Sequence, residues 1–173
     1  GRGIATVFRR AVSVTPAPGK ITVNVVETIK YIGAETLTRQ ECLIAPWTLC
    51  QFDCGPGCEV VFPEVAAADV WDMYDFSDSH RCAKNGLYHA VTDATLRYQI
   101  GLSPAVPWIM LVIPEKKLTV TRSAQPLPAG QSYIDIVDAP PEVKPSDKAV
   151  RYSVYSDTNG FMEIEAAGGG PAS

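Results

Sequence analysis

The chain reads as an all-β protein, a two-sheet antiparallel sandwich with one short helix near 63–76. Three observations predict this. Runs of β-branched and aromatic residues recur at short intervals through all 173 residues. The longer connections, 123–130 and 138–147, are rich in proline rather than in helix formers. Only one segment carries a 3.6-residue apolar period. With no internal repeat and no low-complexity linker, 1–173 reads as a single domain with short N- and C-terminal arms.

The elements follow in order. Segment 4–14 is rich in β-branched residues and leads into the turn Pro16-Ala17-Pro18-Gly19. In 20–32, Ile21, Val23 and Val25 alternate with Thr22, Asn24 and Val26. Two β-runs around a Pro/Gly turn predict a hairpin. Segments 36–44 and 59–62 read as further strands, the second ended by Pro63. Segment 63–76, PEVAAADVWDMYDF, supplies the helix: Ala66, Val70, Met73 and Tyr74 form an apolar stripe behind a tolerated Pro63. Segment 87–100 reads as one long strand. Thr92, Ala94, Leu96, Tyr98 and Ile100 face one way, and Asp93, Thr95, Arg97 and Gln99 the other. Segment 106–113 is apolar on both faces, as a central strand would be. Short strands are expected at 118–122 and 132–137. A hairpin joins 149–155 to 161–166 through Asn159-Gly160.

Bulk composition excludes several classes. The chain is 46% hydrophobic and 20% charged, which is ordinary for a packed domain. A net charge of −4 argues against a general polyanion binder. The apolar run 106–113 is too short for a membrane span, so no membrane partner is expected. Segment 1–14 carries arginines and no continuous apolar core, so it does not read as a signal peptide. The first residue is Gly rather than Met, which suggests a processed or excised chain.

Chemistry-bearing residues are sparse. Cys50, Cys54 and Cys58 flank a Gly-Pro-Gly, and Cys82 and Cys42 complete the five cysteines. Cys54 and Cys58 sit where a turn brings Cβ atoms into disulfide range. Zinc would need a fourth ligand from His80, Cys82 or Cys42. The plainer reading is structural thiols around a turn set by Gly55, Pro56 and Gly57. Asp69, Asp72, Asp75 and Asp78 recur every three residues, a spacing that can gather hard oxygen ligands for calcium or simply form a solvated face. Arg2, Arg9 and Arg10 are the one basic cluster, a candidate contact to nucleic acid or a charged edge strand. His80 and His89 are the available imidazole bases, and no nucleophile motif accompanies them. Trp47, Trp71 and Trp108 are partner anchors if exposed and core if buried.

The stretch KNGLYHAVTDATLRYQIGLSPAVPWIMLVIPE resembles a pattern in jelly-roll coat proteins of small icosahedral viruses: a polar turn, a long strand ending in an aromatic, a Pro-containing turn, and an apolar strand. DVWDMYDFSD is similar to the acidic pairs that bind calcium between subunits in some of those coats. The resemblance covers about a third of the chain. It implies a jelly-roll-like sandwich and a structural, self-assembling coat protein of the virion, either shell or protruding domain. Its partners would be copies of itself or sister subunits, with genomic nucleic acid reached through the N-terminal arm. No enzyme activity and no cofactor beyond calcium would be expected. The chain departs from the family in having three arginines where many coats have a strongly basic arm. Two alternatives remain: a disulfide-containing β-sandwich binding module of an extracellular or surface protein, and a Cys/His or metal-dependent enzyme.

Overall fold

The computed structural model describes residues 4–38, 42–137, 140, 142–143 and 148–171. The first strands are β1 (Thr6–Ala17), β2 (Lys20–Tyr31), β3 (Trp47–Asp53), β4 (Glu59–Pro63) and β5 (Val70–Asp72). Then come β6 (Arg81–Lys84), β7 (Leu87–Val91), β8 (Tyr98–Leu102), β9 (Trp108–Ile113) and β10 (Leu118–Ser123). The last are β11 (Gln131–Ser132), β12 (Tyr152–Asp157), β13 (Phe161–Ala167) and β14 (Gly170–Pro171). Two five-stranded sheets form the body, in the orders β10-β9-β4-β7-β6 and β3-β13-β12-β8-β5. Every pairing is antiparallel. The protein is an all-β sandwich.

The pairs nest. β6 pairs with β7, β5 with β8, β4 with β9, and β3 with β13, alternating between the two sheets. A long antiparallel double strand wound about itself gives this order. Each winding turns one apolar face inward. From the first sheet, Val60, Phe62, Ala90, Ile109 and Leu111 fill the core; from the second come Ile100, Leu102, Val154, Met162 and Ile164. Cross-strand partners explain the match: Val60 lies opposite both Ala90 and Leu111, and Val154 opposite both Ile100 and Ile164. The three residues 158–160 close the β12–β13 hairpin. Gly160 takes φ +84° there, and the Asp157 carboxylate accepts the Asn159 N–H at 2.8 Å.

Four expectations need correction. No helix spans 63–76. Residues 67–69 make one 3-10 turn, and Val70–Asp72 is an edge strand paired with β8. Of the expected apolar stripe only Val70 is buried in the core, while Ala66 and Tyr74 are exposed; the three aspartates of the segment weaken a helix, and backbone pairing to β8 outweighs the remaining propensity. Segment 87–100 is two strands in opposite sheets. Asp93 accepts the Thr95 N–H at 3.0 Å, Ala94 turns through φ +67°, and the chain crosses from β7 to β8. Of 36–44, residues 39–41 lie outside the described set and the remainder is not strand. Of 132–137, only Ser132 pairs, in β11.

β5 approaches β8 closely because Gly101 has no side chain. A Cβ there would stand 2.6 Å from the Trp71 ring. Replacing Gly101 with Ala should therefore displace Trp71 and destabilise the fold by about 1–3 kcal/mol in guanidinium unfolding. An unchanged midpoint would mean the ring moves at no cost.

Candidate functional site

The hairpin β1–β2 stands apart from the sandwich. Twelve residue pairs run from Thr6–Tyr31 to Ala17–Lys20, closed by a tight turn with Gly19 at φ +69°. Alternation sorts its side chains. One face carries Phe8, Val12, Val14, Pro16, Ile21, Val23, Val25 and Ile29, interrupted by the Arg10–Glu27 ion pair. The other carries Arg9, Ser13, Thr15, Lys20, Thr22, Asn24, Thr28 and Lys30, with Val7, Ala11, Ala17 and Val26 among them. The apolar face is open to solvent: Val14 is 61% exposed and Ile21 69%. Near its base the arm meets the body. There the Glu27 side chain is buried, and its carboxylate acts on Arg122 of β10. At about 3.3 Å per residue and about 4.8 Å between strands, the face measures roughly 400 Å². That is the size of the largest apolar patch on an ordinary monomer, and such patches often mark an interaction site.

Sequence reasoning marked Arg2, Arg9 and Arg10. Arg2 lies outside the described residues. Arg10 is neutralised by Glu27, whereas Arg9 shares the polar face with Lys20 and Lys30. That face holds three cations and no acid, a charge the arginine count alone did not reveal.

The aspartates do not converge. Asp69 accepts the Ser103 hydroxyl. Asp72 accepts the Ser77 hydroxyl at 2.6 Å and pairs with Arg81 at 3.2 Å. Asp78 pairs with the same Arg81 at 2.8 Å, and Asp75 faces Arg97 at 3.9 Å. Each carboxylate is a local tie. Among the described residues no group of three or more His, Cys, Asp or Glu is placed to hold a metal ion.

The cysteines are all free thiols. Gly55-Pro56-Gly57-Cys58 forms a turn with Gly57 at φ +79°, closed by the Cys58 N–H donating to the Gly55 carbonyl at 2.9 Å. Cys58 is buried, 5% exposed, and packs in the core. Burial, then the neighbouring Cys58, pushes the Cys54 thiol up to about 11, so it is not a thiolate at neutral pH. Cys50 and Cys82 are exposed, on β3 and β6, and Cys42 is half-buried. Cys50 Sγ accepts from Arg122 at 3.3 Å. His80 is held at both ring nitrogens, by Ser79 at 2.9 Å and Thr95 at 2.8 Å, which ties the 3-10 turn 78–80 to the β7–β8 connection. His89 meets Glu59 at 2.9 Å. Trp71 lies half-buried over Gly101, Trp108 is half-buried at the start of β9, and Trp47 is 49% exposed.

Sequence reasoning missed the outer face of the second sheet. Glu163 and Glu165 of β13, Tyr155 and Ser153 of β12, and Gln99 of β8 lie side by side there. Glu165 is 1% exposed, and the Gln99 amide donates to it at 2.9 Å and to Ser153 at 3.0 Å. Burial, and then the charge and hydrogen bond of Glu163, push the Glu165 carboxyl up to about 8; Gln99 and the Trp47 side chain pull the other way. Glu165 is therefore protonated at neutral pH.

The fold and its attachments define a class: a nested antiparallel β-sandwich bearing a long amphipathic hairpin arm. No protein-family model, curated protein or solved structure matches the chain.

Two outcomes follow. Cys50 and Cys82 should react with a thiol reagent in the folded protein, while Cys58 should label only on unfolding. Equal rates at all of them would contradict this burial. A carboxyl whose folded pKa exceeds its unfolded value binds an extra proton in the folded state between the two, so stability falls as pH rises from about 4.5 to about 8. Glu165→Gln should flatten that slope in thermal melts, and should leave the variant the more stable protein at pH 8. A slope identical in both proteins would place it on another group.

Proposed function

We propose that this chain is a structural, self-assembling coat subunit, shell or protruding domain of a virion, whose copies hold one another through the β1–β2 arm. The observation that carries the reading is the arm's uncovered apolar face. An isolated two-stranded hairpin is marginally stable in water, so twelve paired residues with one greasy face need a surface to lie on. Covering roughly 400 Å² contributes on the order of 10 kcal/mol before association costs. A second copy is the natural source of that surface, since arms laid apolar face to apolar face satisfy each other. The nested strand pairing supports a jelly-roll-like body, although β4 beside β7 and β12 beside β8 set its lateral order. Arg9, Lys20 and Lys30 on the opposite face would remain free to meet genomic phosphate. Asp72 and Asp78 meet at Arg81 while Asp69 and Asp75 have other partners, so the scheme rests on the arm and invokes no calcium site.

Light scattering on the purified chain at micromolar concentration should report an assembly, and a particle of megadalton size for a shell. Val12→Asp with Val25→Asp, which face each other across the arm, should reduce it to monomer with the body still folded by circular dichroism. A chelator should not change its size. A monomeric wild-type chain, or an assembly indifferent to both substitutions, would remove the reading. A second reading, a ligand-binding module, is favoured by the polar face of the second sheet.

A further inference from the structure

That polar face is the floor of a groove of about 800 Å³. Glu163, Glu165 and Gln99 line its base, and Trp47 and Tyr74 line its sides. Four acidic residues line it against one basic residue: Asp75 and Asp135 join the two glutamates, and Arg97 opposes them. Arg97 is itself engaged. It donates to the Tyr155 hydroxyl at 3.0 Å and lies 3.8 Å from Asp157, whose carboxylate takes the Tyr155 O–H. With Glu165 protonated and Asp75 set 3.9 Å from Arg97, the charge at the base of the groove centres on Glu163, beside two aromatic side chains, each nearly half exposed. Aromatic faces and carboxylates together suit an organic cation on an apolar stem. A bare divalent ion would want six or more oxygen ligands and would gain nothing from the rings.

We propose that this groove binds an alkylammonium group, the chemistry shared by polyamines and lysine side chains, with Glu163 and Glu165 facing the cation and Trp47 and Tyr74 its methylene stem. In the empty groove Glu165 keeps its proton. The groups facing it are Glu163 on its own strand, Gln99 and Ser153 on the neighbouring strands, Trp47 from β3, and Arg122 reaching across from β10. When the ammonium arrives, the Glu165 O–H breaks, its proton passes to solvent, and the carboxylate pairs with the cation. Binding then costs a proton at low pH and none at high pH. The groove lies apart from the arm, so this proposal does not depend on assembly.

The test is isothermal titration of the whole chain with spermidine and with pentalysine at fixed ionic strength. Affinity should tighten roughly 20-fold from pH 6.5 to 8.5, the factor that releasing a proton from a group of pKa about 8 requires. Glu163→Gln should weaken binding at least tenfold, and Glu165→Gln should abolish the pH dependence. Asp53→Asn, which removes an exposed carboxylate paired with Lys116 outside the groove, should change neither. The tighter of the two probes names the source, free amine or peptide. Carboxyl-carbon NMR of the wild-type chain is independent of the variants: the Glu165 midpoint near 8 should fall when spermidine saturates the site. No binding, affinity independent of pH, equal loss in Asp53→Asn, or a Glu165 midpoint unmoved by ligand would each overturn the proposal.

Discussion

A sheet with one apolar face must have that face covered, and this constraint organises the whole molecule. Within the body it is met internally. Val60 and Leu111 on one sheet pack toward Ile100, Val154 and Ile164 on the other, and the nested winding brings strands from both sheets to that contact. Non-local pairing of this kind is stable once formed because the inner strands of each sheet are fixed by neighbours on both sides as well as by the core. The arm obeys the same rule and cannot meet it alone. Its apolar face is as regular as those of the body strands, yet its residues remain exposed. The same physics that closes the sandwich therefore leaves the arm with an apolar face that the body does not cover.

The polar side of the second sheet shows the opposite strategy. Outward-facing positions of a sandwich are normally wet, but Gln99, Ser153 and Glu165 are buried. Burying a carboxyl at such a position is tolerable only if it is neutral or paired. Glu165 meets both conditions in part, through its proton and through Gln99 and the Trp47 side chain. Such a group is poised to change charge near neutral pH, and a protein that needed only stability would gain by replacing it with an amide.

Strand identity was legible where local signals were strong. The Pro-Gly turn gave the arm, Asn159-Gly160 gave the β12–β13 hairpin, and the apolar run gave β9. The failures share a cause. The period-two pattern of 87–100 persists through a crossing between sheets, because Thr92 to Leu96 keep the alternation while Asp93 and Thr95 build the turn that breaks the strand. Helical spacing at 63–76 arose from residues whose burial is decided by β8, which lies some thirty residues further on. The candidate groove was hidden for a similar reason. Met162-Glu163-Ile164-Glu165 reads as an ordinary half-buried strand, and nothing local says that Glu165 is covered. The signal that was available, two glutamates on the outward side of a strand predicted beside Tyr155, would have marked the pair but not its burial.

Hydrogen exchange of the arm amides as a function of protein concentration tests the central claim most directly. If copies hold one another through the arm, amides of 6–31 are protected at high concentration and exchange freely on dilution, while β9 and β13 stay protected throughout. Arm protection that is identical at every concentration down to a demonstrated monomer would contradict the account, because the hairpin would then be stable with its apolar face in water.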